Sequence, residues 1–163
     1  MSTKPDQSQD AYVGAEVTKC GRLKSVKDVE QGLLDAFQPI ARDLKAAGLK
    51  AKLRMESGIT TTYSWTAALY VNGDRLGFVS VLPDVSREAQ VESLAEKVQD
   101  LVLEFVRIGP ESVAWPTCRS GHPHPMVIEH AFDGPTPWPC WQCPFDRTYR
   151  VSIGDVAQSV SYP

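Results

Sequence analysis

The stretch Thr62-Tyr-Ser-Trp-Thr-Ala-Ala-Leu-Tyr-Val-Asn-Gly-Asp-Arg-Leu-Gly-Phe-Val-Ser-Val-Leu82 decides the fold of this 163-residue chain. Two runs rich in β-branched and aromatic residues, Thr62 to Val71 and Leu76 to Leu82, flank Asn72-Gly73. Both residues of that pair tolerate positive φ, which makes it the strongest short hairpin signal. Upstream, Ala51, Leu53 and Met55 alternate with Lys52, Arg54 and Glu56, the pattern of a strand with one wet face. The three runs predict an antiparallel meander.

Helices flank the meander on both sides. Val29, Leu33, Phe37, Ile40 and Leu44 recur at spacings of three and four, with Asp28 and Gln31 as a capping arrangement and Gly48 as the stop. Pro39 lies inside this run and predicts a kink or break near Gln38. A second stripe, Val91, Leu94, Ala95, Val98, Leu101, Val102, Phe105 and Val106, predicts a helix from Arg87 to Ile108, capped by Ser86 and stopped by Gly109-Pro110. The expected class is α+β, in the order α-β-β-β-α, with both helices on one face of the meander. The other face then needs cover, from the C-terminal segment or from a partner. Tyr63 and Trp65 are expected on it.

Composition bounds what the chain can do. With 17 Lys+Arg against 20 Asp+Glu, the net charge of -3 gives no overall field for nucleic acid or an anionic membrane, so phosphate binding would need a local patch. No run approaches the roughly 20 apolar residues that cross a bilayer, and the polar N-terminus lacks the core of a secretory signal. A cytoplasmic location is expected, and with it reduced cysteines. Residues 1–24 read as a flexible tail with Cys20 as a plain thiol, 25–110 as the α+β core and 111–163 as a separate module.

That last third concentrates eight of the twelve prolines, three of the four cysteines, all three histidines and three of the four tryptophans. Cys118-x3-His122 and Cys140-x2-Cys143 form two close pairs, the arrangement that delivers four ligands to a tetrahedral metal ion at small entropic cost. One structural Zn2+ held by Cys118, Cys140, Cys143 and either His122 or His124 is the expected centre. His130 reads as a surface or neighbouring residue. Strands at Met126 to Phe132, closed by a turn at Asp133-Gly134, and at Thr148 to Ile153 would pair into the hairpin of a zinc-ribbon-like module.

The run Trp-Pro-x-Cys, His-Pro-His-Pro, Trp-x-Cys-Pro, from Trp115 to Gly154, resembles the C-terminal zinc-ribbon-like segment of small uncharacterised actinobacterial proteins. The resemblance implies metal binding and a bacterial cytoplasmic origin, and no activity.

Other chemistry fits less well. Pro139-Cys140-Trp141-Gln142-Cys143 matches half of a zinc-deaminase signature, but His122-Pro123-His124 lacks the Glu that moves protons there. A redox Cys-x-x-Cys needs a helix N-terminus, and the residues after Cys143 read as a strand. The α-β-β-β-α order is similar to that of the double-stranded-RNA-binding domain, yet its second helix starts Ser86-Arg87-Glu88-Ala89-Gln90-Val91-Glu92, without a basic cluster. The last third has three arginines against five acids. A non-enzymatic binding or scaffolding role is expected, with a protein partner or a second copy meeting the open sheet face or the Trp-rich knuckles around Trp115, Trp138 and Trp141.

Overall fold

The computed structural model describes residues 26–56, 64–108, 111–112, 114–118, 122–130 and 137–159. The expected N-terminal tail with Cys20, Tyr63, the Gly109-Pro110 stop and the Asp133-Gly134 turn lie outside the described residues. Within them run α1 (Val26–Ala46), β1 (Ala51–Arg54), β2 (Trp65–Val71), β3 (Asp74–Val81), α2 (Arg87–Phe105), β4 (Arg107–Ile108), β5 (Glu111–Ser112), β6 (Val127–Glu129), β7 (Cys140–Gln142), β8 (Arg150–Ser152) and α3 (Val156–Ser159). The class is mixed α+β.

Asn72 and Gly73, at φ 53° and 102°, make the turn between β2 and β3. The Asn72 Oδ1 accepts from the Lys50 backbone N–H, which ties β1 to the same turn. Strand order is β1-β2-β3, all antiparallel. Trp65, Ala67, Leu69 and Val71 of β2 face the helices together with Val79 and Val81 of β3, and all are buried. Trp65 is thus on the helix face, not the open one. Its ring takes the space a side chain would need at Gly32 of α1, where a Cβ would fall within 2.8 Å of Cη2. Gly32→Ala is expected to force the two elements apart at a cost of about 1–3 kcal/mol, read from the denaturant midpoint at unchanged slope.

The helix α1 runs through Pro39 without a break. Proline has no N–H to give to the carbonyl four residues earlier, so the Asp35 carbonyl lacks its usual partner. Arg87 of α2 supplies one, its Nη2 lying 2.5 Å from Asp35 O. Arg87→Ala is therefore expected to cost about 0.5–1.5 kcal/mol, and less in a Pro39→Ala background, where the helix restores its own donor. A double-mutant cycle measures that difference. Asp28 lies in the first turn of α1 rather than at a cap, and Gln31 donates to Asp35 instead. Ser86 does cap α2, accepting from the Ala89 N–H, and α2 ends at Phe105, where Val106 turns extended.

The C-terminal segment packs on both helices. β2 and β3 meet α1 and α2 respectively, while α3 meets α1 and β6 meets α2. Gln99 of α2 donates to the carbonyls of Trp115 and Met126. One hydrophobic cluster runs from Leu33 and Val98 to Trp115, Met126, Trp141 and Ile153, so the two segments share a core. The C-terminal strands form a second meander in the order β6-β7-β8. The expected direct pairing of the segments around Met126 and Thr148 does not occur, because Cys140–Gln142 is itself a strand and lies between them.

Candidate metal centre

Four side chains that bind metals converge where the C-terminal segment folds back on itself: Cys118, His122, His124 and Cys143. One ligand atom of each lies within 4.8 Å of the other three. Cys118 and Cys143 are buried and the two histidines half-buried. The Cys118 Sγ is 3.6 Å from His122 Nδ1, and the Cys143 Sγ is 3.4 Å from His122 Nδ1 and 3.9 Å from His124 Nε2. Around a tetrahedral ion with metal–sulfur bonds of about 2.3 Å and metal–nitrogen bonds of about 2.0–2.1 Å, sulfur and nitrogen stand roughly 3.5–3.6 Å apart. The observed distances bracket that value.

Local hydrogen bonds close the loops that carry the ligands. The Met126 N–H donates to Pro116 O, and Thr117 bridges to Pro125, closing the loop that carries Cys118, His122 and His124. His124 Nδ1 lies 2.9 Å from the Pro125 carbonyl oxygen; an N–H on Nδ1 donates to that oxygen, which fixes the tautomer and leaves Nε2 for an ion. The Asp146 backbone N–H points at the Cys143 sulfur at 3.2 Å and fixes its position. The Cys143 N–H in turn bonds Tyr149 O.

Spacing alone places Cys140 among the ligands with one histidine. The structure instead groups both histidines with Cys118 and Cys143. Cys140, Trp141 and Gln142 are extended as β7, so successive side chains point to opposite faces. Trp141 takes the buried side, and the Cys140 thiol donates to Trp138 O at 3.4 Å. The turn that a close cysteine pair would need comes after Cys143, at Asp146 to Tyr149, rather than between the two cysteines.

His130 stands apart from this centre. Its Nδ1 is 2.5 Å from Glu92 Oε1 on α2, and Glu92, Glu96 and His130 form a second, more open group. The imidazole is 60% exposed, as fits a surface hydrogen bond between the end of β6 and α2.

One residue that spacing did not reveal anchors the whole segment. Asp43 of α1 is fully buried and its carboxylate accepts from Trp141 Nε1 at 2.8 Å, Gly154 N at 2.7 Å and Val156 N at 3.0 Å. Burial pushes its pKa up; the bonds from Trp141, Gly154 and Val156 pull it back in part, and Asp155 adds to the rise. Gly154, at φ 105°, has no room for a side chain, since a Cβ would meet Pro39 Cβ at 2.9 Å and Arg42 Nη2 at 2.7 Å. Asp43 thus sets the position of β7, and through it of Cys143 two residues beyond Trp141.

The fold and site define a mixed α+β chain carrying a Cys2His2 group able to hold a metal ion. The sequence matches no protein-family model, no curated protein and no solved structure.

Proposed function

We propose that this chain is a zinc-stabilised, non-enzymatic binding protein. The observation that carries the reading is the donor set: two sulfurs and two imidazole nitrogens at tetrahedral spacing. Two thiolates with two imidazoles suit zinc among the common divalent ions. Four protein ligands complete its coordination and leave no position for the water that hydrolytic or deaminase chemistry activates. The ion then works as a clasp, joining the loop from Trp115 to Pro125 to the end of β7. The resemblance of the Trp-Pro-x-Cys and His-Pro-His-Pro runs to bacterial zinc-ribbon-like segments supports the same reading, although the strand order here differs from a simple hairpin.

Thiol redox chemistry is disfavoured by placement. Cys140 and Cys143 sit on and just after a strand, and neither is at a helix N-terminus, the position that would lower a thiol pKa. The tryptophans are also unsuited as interface anchors, since Trp115 and Trp141 are fully buried and pack edge to face with ring centroids 5.3 Å apart, and Trp138 donates to Ile153 O. They build the module's core. The partner surface is then the first sheet.

Chelation tests the clasp. A strong chelator is expected to lower the melting temperature and to expose Trp115 and Trp141, seen as a red shift in fluorescence, with both effects reversed by added zinc. Unchanged melting in the chelator would refute it.

A further inference from the structure

The face of the first sheet that points away from the helices carries a pattern the overall charge conceals. Lys52 and Arg54 of β1, Thr66, Ala68 and Tyr70 of β2, and Arg75, Phe78 and Ser80 of β3 share it, as their register shows; Thr66 and Ala68 at its centre are buried, while Lys52, Arg54, Arg75, Phe78 and Ser80 around them are exposed. Lys50 extends the same row, and an open depression of about 460 Å³ beside the hairpin is lined by Lys50, Ala51, Lys52, Asn72 and Gly73. Cations sit over rings: Arg54 Cζ is 4.8 Å and Lys52 Nζ 5.9 Å from the Tyr70 centroid, and Arg75 Cζ is 4.3 Å from that of Phe78. Phe78 is 42% exposed. Against Lys50, Lys52, Arg54 and Arg75 stands Glu56, 3.5 Å from Arg75. This is a local basic patch on a chain of net charge -3.

We propose that this face binds single-stranded nucleic acid. The inference deepens the reading of the chain as a binding protein, on which it rests, by naming the partner. Lys50, Lys52 and Arg54 alternate along one strand, so cations repeat every ~6.7 Å in a row. A row of this kind tracks an extended polyanion, and aromatic rings with guanidinium planes beside it offer flat surfaces on which unpaired bases stack. An acidic peptide would satisfy the cations but offers no planar group to stack on the pairs of guanidinium and ring. A second copy is disfavoured, because a two-fold interface sets a patch against itself and would bring these cations face to face. Duplex nucleic acid hides its base faces and presents nothing for the rings.

The test is fluorescence anisotropy of the full zinc-loaded chain with labelled oligodeoxythymidylate and oligouridylate. Comparison probes are a duplex of equal length and polyglutamate. Binding to the single strands is expected, weaker to the duplex and absent for polyglutamate. The logarithm of affinity should fall against that of salt with a slope of about -2 to -3, as expected for three or four phosphate contacts. Lys52→Glu with Arg54→Glu should weaken binding at least tenfold. Phe78→Ala, and Tyr70→Ala if it folds, should weaken it about fivefold or more, as lost stacking requires. Circular dichroism and zinc content of each variant separate a misfolded chain from a lost contact.

No binding of the single strands at low salt would overturn the proposal. So would affinity unmoved by the charge reversals, or equal affinity for the duplex or for polyglutamate. Because zinc content is read on the same samples, either result leaves the clasp to stand or fall on its own measurement.

Discussion

Cys143→Ser is expected to abolish metal binding and to remove several kcal/mol of stability, a large share of the ~5–15 kcal/mol that holds a domain of this size. Its sulfur lies within reach of both histidines and receives the Asp146 N–H. A serine oxygen offers a weaker donor to zinc and is shorter than the thiolate it replaces. Hydrogen exchange is the informative readout. Amides at Met126, Cys143 and Tyr149, whose bonds close the site, should lose protection first, while β2 and β3 keep theirs. Cys118→Ser should behave alike. Cys140→Ser should keep the metal, since its thiol donates to Trp138 O outside the ligand group, and should cost about 1 kcal/mol.

Asp43→Ala should be the most damaging single change away from the metal. It leaves the Trp141, Gly154 and Val156 N–H groups buried without an acceptor, at about 1–3 kcal/mol each, so a loss of at least about 3 kcal/mol is expected in denaturant unfolding. Metal affinity should fall as well, because β7 loses its anchor two residues before Cys143. Asp43→Asn separates charge from hydrogen bonding. It keeps one carbonyl oxygen but turns an amide N–H toward a former donor.

The same pair carries a pH signature. The folded pKa of Asp43 lies above its ordinary value of 3.8. Below 3.8 the carboxyl is protonated in both states, and its contribution is fully present. As pH rises through the raised value the folded protein must release a proton it had retained, so that contribution is lost. The stability of the native chain relative to Asp43→Asn should therefore decline with rising pH across that window and level off above it. Taking the difference between the two proteins removes the acid release of metal common to both.

Much of the fold was legible because short-range chemistry dictates it. Asn72-Gly73 reports a turn from two residues alone, Ser86 reports a cap, and the alternation of Lys52 and Arg54 with Leu53 reports which face is wet. Of the kink or break that Pro39 predicts, no break occurs; the group that makes up for the missing N–H, Arg87, sits 52 residues from the Asp35 carbonyl and could not be read locally. Cys118, His122, His124 and Cys143 were all recognisable as ligand types. Spacing alone favoured Cys140 over the second histidine, since a Cys-x-x-Cys pair reads as a knuckle until Trp141 is known to need the buried face of a strand.

Asp43 was hidden for a related reason. A lone acid in an amphipathic helix reads as solvent-facing, and its partners lie 98 to 113 residues away. A signal was present nonetheless. Ala36, Pro39 and Asp43 recur at spacings of three and four and all are buried, so α1 is covered on a second side. The basic character of the open sheet was similarly diluted, because charge summed over the chain averages a patch away.

Elemental analysis of protein purified without a metal-affinity tag, joined to X-ray absorption at the metal edge, tests whether Cys118, His122, His124 and Cys143 hold one zinc ion. One zinc per chain in a shell of two sulfurs and two nitrogens is expected. Less than about half an equivalent of zinc, or a shell with three sulfurs, would contradict it.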